Sequence, residues 1–329
     1  MTAEIIDIRR FSPQDFSALL EAESHAWGEG LRWDFESSAR VIFSCLREKR
    51  LAGYALVAAG TITGYCFFFC DGEKGLIGDL FVHSSEEKRE SALLLLEHVI
   101  ETLQGTPGLR RIEAQLPHFS FEELEPCFRA RGFRGFRRSF MAAPLGLRRD
   151  RPETAEDTDP PQAPPHPPLA ETFRMAPWER RFDREVAELL FIAYQEHVDA
   201  MINDQYASVA GANRLVENIA RHQGCGEYLP HISRVMIHQP TGQLAAVLAV
   251  TRVRPRTAHI PQVAVGQGFQ GHGLGSALIG AAYNDLAAQG FQEVSLTVTD
   301  MNAGAVRLYE RLGFKTFRNF GAFVFLRTK

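Results

Sequence analysis

Seven of the chain's 17 prolines fall between Arg148 and Ala170, in RRDRPETAEDTDPPQAPPHPPLA. A run without aromatic residues that alternates charge with proline cannot bury enough surface to order itself. The 329 residues are therefore expected to fold as two bodies, residues 1–147 and 171–329, joined by a semi-rigid spacer over 148–170. A PxxP docking motif is the competing use of the same prolines. About 150 residues a side is an ordinary domain size. A composition of 45% hydrophobic and 23% charged residues supplies real cores and excludes wholesale disorder.

Charge excludes one class of partner. Lys and Arg total 36 against 40 Asp and Glu, a formal net charge of -4, so no global positive field holds a polyanion and no nucleic acid is expected. The opening MTAEIIDIRRFSPQDF has no basic stretch leading into an apolar one, and no run nears about 18 consecutive apolar residues. We expect a cytoplasmic chain with no membrane partner. Five scattered cysteines, an odd number, suit reduced thiols. Cys66 and Cys70 lie in GYCFFFCDG, which reads as a buried strand with both sulfurs on one side. Packing is expected of them rather than metal binding, and no metal is expected elsewhere.

The order of elements repeats across the proline segment. In the first half IIDIRR reads as a strand, Asp15 can cap a helix running towards Ser24, and a second helix covers residues 36–48. YALVAAG, TITGYCFFFC and KGLIGDLFV follow as an antiparallel meander, then a helix over 86–103, the strand RRIEAQL, the helix EELEPCFRARGF and the strand FRRSFMAAPL. The second half gives the same series: FRMAPW, helices around 185–198 and 212–222, and the strands ISRVMIH, LAAVLAVTR and HIPQVAV. A helix from Gly275, the strand EVSLTVT, a helix over 303–312 and closing strands complete it. RARGF, ending at Phe133, and ERLGF, ending at Phe314, set the halves in register, with Phe128 opposite Tyr309 and Phe121 opposite Asn302. Duplication explains the register; chance likeness of two α/β domains is the alternative.

The segment QVAVGQGFQGHGLGSALIGAAYNDLAAQG leads from a strand through a glycine-rich turn into a helix. Glycines at 271, 273 and 275 allow close approach of backbone to a ligand, and a helix start offers unpaired N–H groups and a positive dipole end, an arrangement that binds pyrophosphate. The spacing G-x-G-x-G is not the Rossmann G-x-G-x-x-G, and no Gly-Lys-Ser/Thr follows to make a P-loop. A second segment, EVSLTVTDMNAGAVRLYERLGF, stands at a fixed distance. Together they resemble the GNAT superfamily of acyl-CoA-dependent N-acetyltransferases. The Q/R-x-x-G-x-G/A signature appears as Gln270-Gly271-His272-Gly273-Leu274-Gly275, and the later N-x-x-A-x-x-x-Y-x-x-x-G-F pattern as Asn302, Ala305, Tyr309, Gly313 and Phe314. The match is close over the last third of the chain and extends through the ordered elements over 171–329.

The resemblance implies an α/β (α+β) fold of two tandem GNAT-like domains, each a mixed, mostly antiparallel sheet flanked by helices. It implies acetyl-CoA as cosubstrate and an amine of a small molecule or peptide as acceptor, acetylated by direct attack in a ternary complex without a metal. Val263 and Val265 would lie against the thioester and pantetheine, backbone amides of Gln270, Gly271, His272, Gly273, Leu274 and Gly275 would hold the pyrophosphate, and Asn302 would bond the pantetheine arm. Tyr309 would protonate the departing thiolate; packing under the loop is its competing use. Members that acetylate ribosomal protein N-termini carry a glutamate five residues before the Asn, where this chain has Thr297. Base candidates are then His259, at the start of its strand, Glu227, equally a solvated loop carboxylate, and His231. Within HVDAMINDQY, the residues Asp199, Asn203, Asp204 and Tyr206 suit a polar or cationic acceptor; capping of the next helix competes for them.

In the first half the turn after DLFV has no glycine, Glu86, Glu87 and Glu90 repel a pyrophosphate, and Phe128 cannot donate a proton. We expect a degenerate copy that buttresses the active one or walls its cleft, a layout resembling tandem GNAT enzymes of the mycothiol synthase type, whose C-terminal copy is active. A non-catalytic acyl-CoA-binding or sensing protein is the alternative reading of the whole chain.

Overall fold

The computed structural model describes residues 3–83, 88–145, 169–221 and 225–327. The expected spacer at 148–170 lies outside them except for its last two residues, and so do Glu86 and Glu87. The first elements are β1 (Glu4–Asp7), α1 (Ser17–Ala26), α2 (Glu36–Arg47), β2 (Ala52–Ala58), β3 (Thr61–Asp71), β4 (Lys74–Val82), α3 (Lys88–Gly105), β5 (Arg111–Gln115), α4 (Phe121–Ala130) and β6 (Arg134–Pro144). After them come α5 (Leu169–Thr172), β7 (Phe173–Pro177), α6 (Asp183–Tyr194), α7 (Val198–Ile202), α8 (Val209–Arg221), β8 (Glu227–Tyr228), β9 (Arg234–His238) and β10 (Leu244–Arg254). The series closes with β11 (Thr257–Val265), α9 (Leu274–Ala288), β12 (Glu293–Thr299), α10 (Ala303–Arg311) and β13 (Lys315–Leu326).

Two compact units result. One comprises Met1–Phe140, Val298–Met301 and Phe317–Lys329, the other Met141–Thr297 and Asn302–Thr316. The last strand thus belongs to the first unit, whose strands run in the order β1-β2-β3-β4-β5-β13-β6. Its place follows from side-chain chemistry. Phe128 of α4 is fully buried and stacks on Phe323 of β13 at 4.0 Å, and β13 pairs with β5 from Ala322↔Gln115 to Leu326↔Arg111. The phenylalanines of α4 need an apolar strand beside β5, and KTFRNFGAFVFL supplies one. Against β2, β3 and β4, α3 buries Leu95, Leu96, Val99, Ile100 and Leu103, its apolar face at helical spacing.

In the second unit the order is β12-β11-β10-β9-β7, with β8 paired to β10. Helices α6 and α8 pack Val186, Leu190, Val216 and Ile219 on Val235, Val247 and Ala264 of the sheet. Among the strand pairs whose register is described, each unit has one parallel pair, joined through a helix: β4 with β5, and β11 with β12.

The same irregularity marks both parallel pairs. β4 pairs with β5 only from Lys74↔Arg111 to Ile77↔Ala114. On its other side Asp79 faces Phe67 and Ile77 faces Phe68, so Gly78 is an extra residue. A Cβ at Gly78 would meet Phe67 Cε2 at 2.4 Å, which reserves the position for glycine. β11 pairs with β12 only from Thr257↔Glu293 to Ile260↔Leu296. Across from it, Gln262 faces Ala249 and His259 faces Thr251, so β11 also carries an extra residue there. Pro261 sits in that bulge, having no N–H to give a ladder. Beyond it β11 runs on to Val265 without β12, which opens a wedge between the two strands.

Three local expectations shift. Ser12 rather than Asp15 is the cap, over a short turn at 13–16, with Asp15 answering from the third position. α6 stops at Tyr194 instead of running to 198, and there the Tyr194 hydroxyl accepts from Gln262 Nε2. Cys66 is buried, but Cys70 is exposed at the hairpin end next to Gly72.

Candidate active site

The glycine loop opens α9. Gly271 and Gly273 have φ of +81 and +74, backbone that L side chains rarely adopt. A Cβ at Gly271 would meet nothing within 4 Å, and one at Gly273 only Leu169 Cδ1 at 3.9 Å. The two glycines therefore leave open space over the N–H groups that begin a helix of 15 residues with no acidic residue in its first turn. That cradle fits an anion such as a pyrophosphate. His272 turns Nδ1 back to the carbonyls of Phe269 and Gln270, at 3.2 and 3.0 Å, which fixes the loop. Leu274 is buried beneath it.

Gly275 ties the loop to the wedge. A Cβ there would lie 3.5 Å from Leu308 Cδ2 and 3.9 Å from Val265 Cγ2. The start of α9, the parted end of β11 and the middle of α10 thus converge. Val263 and Val265 pair with Leu248 and Ala246 and alternate with buried Gln262 and Ala264, so they face the side opposite α6 and α8.

At the head of α10, Asn302 Oδ1 accepts the Ala305 N–H at 3.1 Å. This fixes the amide so that Nδ2 points to His197 Nε2 at 2.9 Å. The Asp199 N–H lies 3.2 Å from His197 Nδ1, with its carboxylate at 3.6 Å. Two N–H donors thus face a ring that, when neutral, has one lone pair. The Asp199 N–H donates to Nδ1, which caps α7. The wall beside this pair is a closed network. Tyr206 donates to Gln262 Oε1 at 2.8 Å, Gln262 Nε2 donates to the Tyr194 hydroxyl at 2.8 Å, and the two tyrosine rings stack at 4.0 Å.

Tyr309 is 7% exposed, with its ring edge on Phe314. Burial first, and the Asp199 carboxylate second, push its phenol above the usual range of 10.0. The same causes, together with Tyr206, raise Tyr194. Asp199 is therefore felt by both phenols. Asn203 caps the turn at 204–207 through Oδ1 to the Gln205 N–H at 3.0 Å, and Asp204 stands in its first turn.

The base candidates lie elsewhere. His259 is buried at the paired end of β11, with Nδ1 3.0 Å from Ser295 Oγ. Six residues separate it from Val265, about 20 Å of strand. Glu227 is exposed and pairs with Arg252 at 3.3 Å, also at that end, where Arg252 faces Ala258. His231 is bonded to Gln289 just past the far end of α9. The residue that sequence reasoning missed is His197. It stood at the head of the acceptor segment, but only the fold brings it to Asn302. In the first unit, Phe128 is core, and counting from the helix cap puts Ser120 rather than Phe121 at the place of Asn302, because α4 is one residue longer than α10.

The sequence profile of the Acetyltransferase (GNAT) family matches residues 220–314, the stretch that holds the wedge, the loop and α10. A mycothiol acetyltransferase of Kocuria rhizophila is 44% identical over 61 residues, 18% of this chain and 20% of that protein. One from Streptomyces scabiei is 49% identical over 55 residues, 17% and 18% of the two. The matched segment thus spans about a fifth of the length of these curated relatives. Two solved structures share the fold along the chain. A tandem GNAT protein from the clavulanic acid biosynthesis pathway has a TM-score of 0.60 at 16% identity, over 100% of this chain and 99% of that one. A GCN5-related N-acetyltransferase from Sphaerobacter thermophilus has a TM-score of 0.63 at 16% identity, over 98% and 95%. Residues 220–314 thus carry the match to the Acetyltransferase (GNAT) family, whose chemistry is acyl transfer from acetyl-CoA. The two-unit fold is shared along the whole chain with the tandem GNAT protein. Among the described residues no helix is long and apolar enough to cross a membrane.

Proposed function

We propose that the second unit transfers an acetyl group from acetyl-CoA to an amine of a small molecule or peptide, by direct attack within a ternary complex. The observation that carries this is the convergence of cradle, wedge and α10 on Gly275. When bound, acetyl-CoA supplies an activated carbonyl and a thiolate leaving group. The backbone from Gln270 to Gly275 holds the pyrophosphate, and the backbone at Val263 and Val265 lines the pantetheine and acetyl end. Asn302 lends its amide to that arm and keeps His197 turned towards it. The His197 imidazole is the proton acceptor for the incoming ammonium, and the Asp199 carboxylate beside it offers a counter-charge to a cationic acceptor. Tyr309 keeps a proton on Oη for the departing sulfur, which its raised pKa favours. His259 and Glu227, at the paired end of the sheet, take no part.

Calorimetric titration of acetyl-CoA into the full chain, followed by an amine panel read by free thiol release, tests the reading. Micromolar binding and turnover with at least one amine are expected. No binding sinks the site. Binding without turnover across amines, aminosugars and peptides would leave the acyl-CoA sensing module instead.

A further inference from the structure

The first unit carries a polar cluster that the proposed reaction does not use. Asp79 is the first residue past the bulge of β4, the position that Gln262 holds in β11. Gln262 is neutral and satisfied by two tyrosines. Asp79 is a carboxyl group that is 6% exposed, and it meets a second carboxyl, Glu23 of α1, at 0% exposure. His118, three residues past β5, completes the group at 8%. One ligand atom from each lies within 4.8 Å of the others.

His118 Nε2 is buried and, among the described residues, has no hydrogen-bond partner, although it lies 3.5 Å from Glu23 Oε1. The edges of Trp27 and Phe81 contact the imidazole at 5.1 Å each and set its plane. The donors around the carboxyls are neutral: the Tyr65 hydroxyl and the Trp27 indole N–H at 3.4 Å to Glu23, and the Leu80 N–H at 2.8 Å to Asp79. They satisfy lone pairs without supplying charge. The nearby cations Arg318 and Lys88 are felt by His118 and, after burial, help keep it neutral, while their own contacts go to other groups. Arg318 donates to the Pro117 and His118 carbonyls at 2.8 and 2.6 Å, and Lys88 lies over the Phe81 and Phe119 rings.

We infer that Glu23, Asp79 and His118 bind a divalent transition-metal ion of the zinc and manganese class. Two carboxylates and a divalent cation sum to zero charge, which is what a buried site requires. The ion also gives the orphan Nε2 its partner. One nitrogen and two carboxylates are the donors of zinc and manganese; calcium takes six to eight oxygens. Without an ion the carboxyls coexist only by holding protons. Burial pushes Glu23 up to about 7 and raises Asp79 as well, while His118 is pushed down to about 4 and so stays in its ligand form.

The test uses the full-length chain, stripped with a chelator and titrated with MnCl2 and, separately, ZnCl2. Calorimetry in buffers of different ionisation enthalpy and elemental analysis after desalting provide the readouts. The expected result is one ion per chain, proton release on binding, and a higher Tm in the presence of metal. Glu23→Gln and Asp79→Asn, each checked for fold by circular dichroism, should weaken binding of manganese about tenfold or more. If a variant does not fold, stoichiometry and proton release in the parent still decide. A folded parent that retains under about a tenth of an equivalent, or binding unchanged in both folded variants, overturns the inference and leaves a proton-sharing carboxyl pair. Neither readout depends on acetyl transfer, so failure here and failure of the proposed function are separate results.

Discussion

Asn302 and His197 meet at 2.9 Å through Nδ2 and Nε2, although 105 positions separate them in the chain. One side chain therefore has two duties, since Asn302 Oδ1 also caps α10. The start of the helix and the orientation of the imidazole are set by a single amide plane.

Substitution at Asn302 can separate those duties. Asn302→Asp keeps a competent cap and loses the donor, so kcat should fall about tenfold or more with Tm nearly unchanged. Asn302→Ala loses both, and should cost about 1 kcal/mol of stability as well. Thermal melts beside thiol-release kinetics distinguish them; equal Tm losses in both variants would mean that Asn302 acts through the cap alone.

His197→Ala removes the proposed base but touches neither cradle nor wedge. A drop in kcat of about 100-fold or more is expected, with acetyl-CoA affinity held. Undiminished turnover would move the base away from α7.

At Gly273 the requirement is on the backbone, because a Cβ meets only Leu169 at 3.9 Å. Gly273→Ala should strain φ by about 1 kcal/mol and weaken acetyl-CoA modestly. Gly273→Glu adds a negative charge facing the pyrophosphate and should raise Kd about tenfold or more, an effect that salt relieves. Unchanged affinity in the Glu variant would remove this loop from the cofactor site.

Much of this was legible in the sequence because it is local. A glycine-rich turn and a helix opened by Asn302 each announce themselves within a few residues, whereas the bulge at Pro261 shows only in the strand register. What stayed hidden is long-range. That β13 completes the first unit depends on Phe323 finding Phe128, 195 positions away, and periodicity says nothing of such a pairing. His259 looked equivalent to a cleft residue because a strand reads the same from either end; the bulge decides which end opens. Glu23, Asp79 and His118 come from three elements with no common spacing.

The pH dependence of turnover follows from Tyr309. Its pKa in the fold is raised above 10.0 by burial and by Asp199, so the protonated form is the one the fold favours. The stability it contributes is full below the unfolded value and is lost only as pH rises through the higher folded one. The kcat profile should therefore show no alkaline limb from this group below about pH 10. Asp199→Asn removes the charged contributor and should bring that limb to lower pH. A limb that does not move assigns it to another group.

Phe128 invites the reverse substitution. It holds the place of Tyr309 in the first unit, but it is fully buried and stacked on Phe323 at 4.0 Å. Tyr309→Phe should lower kcat while acetyl-CoA still binds, because only a proton donor is lost. Phe128→Tyr places a hydroxyl in an apolar core with no partner to receive it, and should cost about 1–3 kcal/mol in urea melts with no gain in turnover. A Phe128→Tyr chain as stable as its parent would mean that polar space exists beside α4. That would reopen the first unit as a second acyl-CoA site.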